Sequence, residues 1–311
     1  MKLRKRREMI DVEKTAICVR GLRKSYDDTA AVDGIDFDVR AGEIFALLGP
    51  NGAGKTTTLE CLEGLRRYDE GEVSVAGVDP ATHARDLFAR IGVQLQTGSL
   101  PPNLTVSEIF ELMAAYHGVR GDTEILETLG LAGRMNDAYG ILSTGQKRRL
   151  DLALAMVHRP EILFLDEPTA GLDVSSRLTI HRLIAQTRDR GATVILSTHD
   201  MAEAEHLAGR VAVLMGGRIV AAGSPRELTS TGNGLTKISV RTSRESVHSS
   251  PAFSEFRRDG EYAVALSDSP GPLVARLMDH IQANGDTLLD LRVERPSLEE
   301  RFLELVEEES A

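Results

Sequence analysis

The chain has 311 residues, 41% of them apolar and 27% charged, which is room for about two domains of roughly 150 residues with cores of their own. With 28 glycines, 11 prolines and only Cys18 and Cys61, it is neither a disordered chain, a fibrous repeat nor a disulfide scaffold. Both cysteines read as free, buried small hydrophobes of a reducing compartment. A net charge of −10 argues against a basic face for nucleic-acid backbone, and no run approaches the roughly 18 apolar residues that span a bilayer.

In chain order, Lys2, Arg4, Lys5, Arg6 and Arg7 have no apolar stretch behind them, so residues 1–9 read as a solvated basic tail rather than a secretory signal. Attraction to an anionic membrane surface is the second reading of that tail. Across 15–45 the pattern alternates: Ile35, Phe37 and Val39 are apolar, and Asp36 and Asp38 between them are charged. That is the period of a half-buried strand, and it returns at 72–78 after the turn-like Asp69-Glu70-Gly71, predicting an antiparallel lobe. Residues 44–48, 162–165 and 194–196 are instead continuous apolar runs, as in parallel strands covered on both faces.

Thr105-Val106-Ser107-Glu108 has the form of a capping box, followed by Ile109, Leu112, Met113 and Tyr116 as an apolar helical face. A helical insertion over about 97–160 is expected, continuing through 125–131 and 145–158. The polar stretch 230–234 reads as a linker. Beyond it, strands at 238–242, 262–266 and 288–293 alternate with helices at 273–283 and 298–307, with Ser297 capping the last before Glu300. Leu273, Leu277 and Ile281, and Leu298, Phe302 and Leu305, form apolar helix faces there.

Gly49-Pro50-Asn51-Gly52-Ala53-Gly54-Lys55-Thr56, with Thr57 after it, lies between a buried strand and a helix-like segment, the context of a phosphate loop. Glycines let N–H groups turn inward around phosphate oxygens, and the following helix offers its positive end. Lys55 then reaches the β- and γ-phosphates, and the Thr56 hydroxyl can ligate Mg²⁺. A second motif stands 111 residues after Lys55, where the run 162–165 ends in Asp166 and Glu167. Successive strand residues point to opposite sides, so Asp166 can hold Mg²⁺ while Glu167 orients or deprotonates the attacking water.

Leu142-Ser143-Thr144-Gly145-Gln146 opens a helix, with Ser143 as cap and Gln146 closing a second capping box, 23 residues before Asp166. Here the chain resembles the ATP-binding-cassette family, whose signature is Leu-Ser-Gly-Gly-Gln. The resemblance covers about residues 15–225 and implies an α/β P-loop ATPase with an antiparallel lobe and a helical subdomain, plus a small carboxyl-terminal α+β domain. It implies ATP and Mg²⁺ as ligands. It also implies a head-to-tail homodimer, in which Ser143, Gly145 and Gln146 of one chain cap the γ-phosphate held by the loop of the other. The departure is Thr144 in place of a glycine, which requires ordinary helical dihedrals at the first helical position.

By the same resemblance Tyr26 stacks on adenine, with Val32 as apolar support. Gln96 senses Mg²⁺ and water and links to the membrane partner, with Gln94 as the rival candidate. Asp173, in Ala170-Gly171-Leu172-Asp173, belongs to a loop that crosses the dimer interface, and His199 is the switch histidine at the γ-phosphate. The expected domains are the tail at 1–9, a nucleotide-binding domain at 10–230 and an accessory α+β domain at 235–311.

Only 88 residues separate Lys55 from Ser143, too few for the coiled coils of chromosome-type members, and translation-type members carry two motif sets where this chain has one. The stretches 41–49 and 296–305 resemble bacterial drug and antibiotic exporters of the daunorubicin-resistance type. That implies an ATPase subunit on the cytoplasmic face of the cell membrane, driving export through an integral-membrane permease on a separate chain. No nucleic-acid partner is expected; the alternative is a non-transport ATPase of this superfamily acting on nucleic acid or the ribosome.

Overall fold

The structure is a computed structural model that describes residues 15–96, 100–231, 235–248, 250–294 and 297–310. The basic tail at 1–9 and residues 232–234 of the expected linker lie outside these residues. The chain divides into two compact units, 1–222 and 223–311.

The first unit starts with strands β1 (Thr15–Tyr26) and β2 (Thr29–Arg40), then β3 (Ile44–Leu48), helix α1 (Lys55–Leu62), β4 (Glu70–Val75), α2 (Ala84–Phe88) and β5 (Ile91–Gln94). Helices α3 (Val106–Tyr116), α4 (Glu124–Thr128) and α5 (Thr144–Met156) form the expected insertion. Then β6 (Ile162–Asp166), α6 (Val174–Asp189), β7 (Thr193–Thr198), α7 (Met201–Leu207), β8 (Arg210–Met215) and β9 (Arg218–Gly223) follow.

The alternating segments pair as an antiparallel sheet in the order β2-β1-β4. The last of its strands ends at Val75, short of the expected 78, because Ala76 and Gly77 take positive φ and turn the chain. The continuous apolar runs form the six-stranded sheet β5-β6-β7-β3-β8-β9, in which β5, β6, β7, β3 and β8 run parallel. Apolar side chains of both sheets and of α1 share one core, where Phe37 stacks on Phe45 at 5.4 Å. Parallel strands send their carboxyl ends to one edge, so the loops after β3, β6 and β7 emerge together.

Helix α3 starts where the capping box predicts: Thr105 accepts from the Glu108 N–H and the Glu108 carboxylate accepts from the Thr105 N–H. Its buried face differs from the expected one. Val106, Ile109, Phe110 and Ala114 are buried, while Leu112 and Tyr116 are exposed, because the packing stripe is rotated around the helix. Of the two cysteines only Cys61 is buried, its thiol pushed up to about 12 by desolvation; Cys18 is half-buried.

The second unit holds α8 (Pro225–Thr231), β10 (Thr236–Thr242), β11 (Arg257–Asp259), β12 (Tyr262–Ser267), α9 (Pro270–Ala283), β13 (Leu288–Glu294) and α10 (Leu298–Ser310). Its antiparallel sheet has the order β11-β12-β10-β13. Ser230 and Thr231, expected in a linker, instead end α8, whose start carries a reciprocal Ser224–Glu227 cap. Ser297 and Glu300 make the same reciprocal cap at α10. Leu273, Leu277 and Ile281 of α9 bury against Ile238, Val240 and Phe253.

Leu277 is fully buried there, so Leu277→Ala leaves a cavity that should cost about 2–5 kcal/mol, read as a lower denaturant midpoint for this unit. Glu63, which follows α1, is 1% exposed with Oε2 unpartnered among the described residues. Burial, reinforced by the nearby Asp166 and Glu60, raises its carboxyl from 4.5 to about 8. Because the folded-state value is the higher one, the favourable contribution of the neutral form is complete below about pH 4.5 and is lost as pH rises through about 8. Thermal unfolding should therefore show Glu63→Gln gaining stability over the unaltered chain between pH 5 and pH 8, on the order of 1 kcal/mol or more. Parallel curves for the two proteins would show Glu63 ionised throughout.

Candidate functional site

The loop 49–54 is shaped by close backbone approaches. A Cβ on Gly49 would lie 2.2 Å from the Leu214 carbonyl, and one on Gly54, whose φ is +103°, would lie 2.3 Å from the Ala31 carbonyl. Only glycine fits either place. Pro50, Asn51 and Gly52 are exposed at the loop tip and Ala53 is buried beneath it. Thr56 and Thr57 stand half-buried in the first turn of α1. The backbone N–H groups of Gly52, Gly54, Lys55 and Thr56 find no protein acceptor among the described residues. Those of Lys55 and Thr56 are among the donors that any helix start leaves unsatisfied.

Lys55 is 5% exposed. Its Nζ donates to the carbonyls of Gly49 at 2.8 Å and Pro50 at 3.1 Å, and lies 3.7 Å from Glu167 Oε1. Burial pulls its pKa below the usual lysine value, against the opposing pull of Glu167 and Asp166. Asp166 ends β6: Oδ2 accepts the Thr56 hydroxyl at 2.9 Å and Oδ1 accepts the hydroxyl of Ser197. Two hard oxygen ligands therefore sit side by side at the loop, a donor set suited to Mg²⁺, which takes few protein ligands besides phosphate and water.

Glu167 lies just past β6, outside the strand alternation that the sequence suggested for it, and reaches Lys55 and His199 rather than Thr56. Its φ is +48°, a left-handed conformation costly for a residue with a Cβ. Two bonds hold it there, from Glu167 N–H to the Ser197 carbonyl at 3.1 Å and hydroxyl at 3.2 Å. Its Oε1 then lies 3.0 Å from His199 Nδ1, on a half-exposed ring beyond the end of β7. Lys55, Thr56, Asp166, Glu167 and His199 are thus brought together from three parallel strand ends. Ser197, bonded to both acidic residues, was missed by motif reading; its signal is its place two residues before His199.

Gln96 lies exposed past β5, and no hydrogen bond joins it to Thr56 or Asp166 among the described residues. Gln94 is 1% exposed within β5, and both its amide atoms are unpartnered among the described residues. Tyr26 is 39% exposed at the end of β1, with the Arg66 guanidinium 5.1 Å from its ring centre. Val32 is fully buried, so it can support such a surface only from beneath.

Ser143 is exposed and caps α5: its side chain accepts from the Gln146 N–H and Gln146 Oε1 accepts from the Ser143 N–H at 2.8 Å. Thr144 is the first residue of that helix and does not take a positive φ, in keeping with its β-branched side chain. Gly145 lies against Leu172 and Ser176, where an added Cβ would come to 3.5 and 3.8 Å. Asp173 caps α6 by accepting from the Ser176 N–H at 2.9 Å, a bond that lowers its pKa. No hydrogen bond within the chain joins Ser143, Gly145 or Gln146 to the loop 49–57 among the described residues.

Known proteins agree with this geometry. A family model described as ABC transporter matches residues 32–170, and one described as an AAA domain, putative AbiEii toxin, type IV TA system, matches 136–205. The Nod factor export ATP-binding protein I of Burkholderia pseudomallei strain K96243 is 38% identical over 294 residues, 91% of this chain and 94% of that one. A solved ATP-binding subunit of an ABC transporter matches with a TM-score of 0.66 and 26% identity, over 71% of this chain and 94% of its own. The cassette MJ0796, solved as a dimer in a post-hydrolysis state bound to ADP and Pi, matches with a TM-score of 0.62 and 26% identity, over 67% of this chain and 98% of its own. The chain belongs to the ABC transporter family, as one of its ATP-binding, ATP-hydrolysing subunits.

Proposed function

We propose that this chain powers export of a small amphipathic, drug-like molecule through a permease on a separate membrane-spanning chain, acting as a head-to-tail homodimer at the cytoplasmic face of the cell membrane. The observation that carries the ATPase half of this reading is the meeting of Lys55, Glu167 and His199 beside the Thr56–Asp166 pair. For export, support comes from the relative named above for Nod factor export and from the resemblance of 41–49 and 296–305 to drug exporters. A separate permease fits the finding that no helix among the described residues is long and apolar enough to cross a membrane. A nucleic-acid role finds no support in a chain of net charge −10.

In this reading the N–H groups of Gly52, Gly54, Lys55 and Thr56 and the Lys55 ammonium hold the β- and γ-phosphates, the ammonium trading the loop carbonyls for phosphate oxygens. Mg²⁺ supplies charge neutralisation at the phosphoryl oxygens when bound. Thr56 and Asp166 would hold it, with Gln96 joining from its exposed position. Glu167 accepts the proton of the attacking water at Oε1, and His199 Nδ1–H orients that oxygen. Tyr26 stacks on adenine with Arg66 on its ring, and Asp173 faces the second chain. The exposed Ser143, with Gly145 and Gln146, closes the γ-phosphate held by that second chain. The accessory residues 235–311 regulate or stabilise assembly and take no part in the chemistry.

Glu167→Gln keeps size and hydrogen bonding but loses basicity. Its kcat should fall by about 10²-fold or more while ATP binding is retained. ATPase assays paired with equilibrium nucleotide binding check this, and turnover near normal would remove Glu167 from the role.

A further inference from the structure

The segment that follows Glu167 is anchored by a buried carboxylate that the chemistry above does not use. Glu203, in the first turn of α7, is 3% exposed, and one of its two oxygens, Oε1, takes two bonds. The Thr169 hydroxyl donates to it at 2.6 Å and His181 Nε2 of α6 at 3.2 Å. Thr169 is 3% and His181 8% exposed, so these are desolvated contacts rather than a solvated polar face. A buried carboxylate persists only where such partners answer it.

What the bonds connect gives them meaning. Thr169 lies two residues after Glu167, in a tight turn where Ala170 N–H donates to the Glu167 carbonyl at 3.2 Å and Leu172 N–H to the Thr169 carbonyl at 3.2 Å. At its other end Glu203 closes the head of α7: its N–H donates to Asp200 Oδ1 at 3.1 Å, one residue beyond His199. Asp200 Oδ2 in turn accepts from Arg177 of α6 at 2.9 Å. The turn carrying Glu167, the segment carrying His199 and the helix opened by Asp173 are therefore joined through one carboxylate and the cap beside it.

We propose that Glu203 is a positioning residue for hydrolysis, its Oε1 tying Thr169 to α7 so that the left-handed Glu167 stays within reach of His199. This rests on the reading of Glu167 as the group that activates water. None of the bonds of Glu203 reaches the loop 49–57 among the described residues, so it sets the hydrolytic step and leaves nucleotide affinity alone. Displacing a reacting group by about 1 Å can cost about 10²-fold in rate, so a short buried bond two residues away has ample leverage.

The test is steady-state ATPase kinetics on the full chain for Glu203→Ala, Thr169→Val, Glu203→Gln, Glu167→Gln and the double variant Glu167→Gln/Glu203→Ala. Glu203→Ala and Thr169→Val should each lower kcat about tenfold or more with the KM for ATP within about twofold. Glu203→Gln, which keeps an acceptor oxygen, should recover most of the rate. The double variant should be no slower than Glu167→Gln alone, because a group acting through Glu167 has nothing left to position. Normal kcat in both Glu203→Ala and Thr169→Val, with Glu167→Gln inactive, overturns the proposal. So does a loss carried by KM rather than kcat, which would make the contact purely structural. Turnover retained in Glu167→Gln overturns the assignment of Glu167 instead.

Discussion

An ammonium group held at 5% exposure is the constraint around which this molecule is arranged. A buried charge is tolerated only with close, well-placed partners. Lys55 obtains its partners from two carbonyls of its own loop and from a carboxylate just past the end of β6. The supply depends on topology. Because β3, β6 and β7 run parallel and adjacent, with Leu48 opposite Thr198 and Asp166 opposite Ser197, their last residues reach the same height. A one-residue slip in β6 would turn Asp166 to the opposite face of the sheet and away from Thr56.

The same arrangement explains the strain at Glu167. The chain leaves β6 sharply to bring this carboxylate beside the lysine, and it does so through a positive φ that the bonds from the Glu167 N–H to Ser197 hold in place. Such outliers persist where the surroundings over-determine them. In the proposed reading, phosphate, metal and water functions are thereby distributed over strand ends, with the phosphate-facing donors on the start of a helix. The capping residues Ser143 and Gly145 stand apart from this cluster, on the head of α5. That separation is what the proposed head-to-tail dimer requires, with the head of α5 offered to the loop of a second chain.

Much of the site was legible because its determinants are local. The glycine spacing at 49–54, the apolar run ending in Asp166 and Glu167, and the Ser-x-x-Gln and Thr-x-x-Glu caps each act within a few residues. The structure realises the caps at Thr105, Ser143 and Ser297 as reciprocal bonds. What sequence pattern misplaced depends on packing. Leu112 and Tyr116 fit a helical period but face solvent, because the neighbouring elements cover a different stripe of α3. The polar Ser230 and Thr231 looked like linker and instead complete a capped helix. Ser197, and the link from Thr169 through Glu203 to His181, join residues 31 and 34 apart, or 22 for the histidine, and leave no periodic trace in the chain.

The central claim is that one catalytic site is assembled from Lys55 and Glu167 of one chain and Ser143 and Gly145 of another. Mixing chains that carry Lys55→Ala with chains that carry Ser143→Arg, each folded and inactive alone, tests it most directly. About half of randomly paired two-fold dimers are mixed, and each of these has both lesions in one site and neither in the other. The account predicts that ATPase activity reappears on mixing, rising toward about a quarter of the unaltered rate. No recovery at any mixing ratio would contradict it.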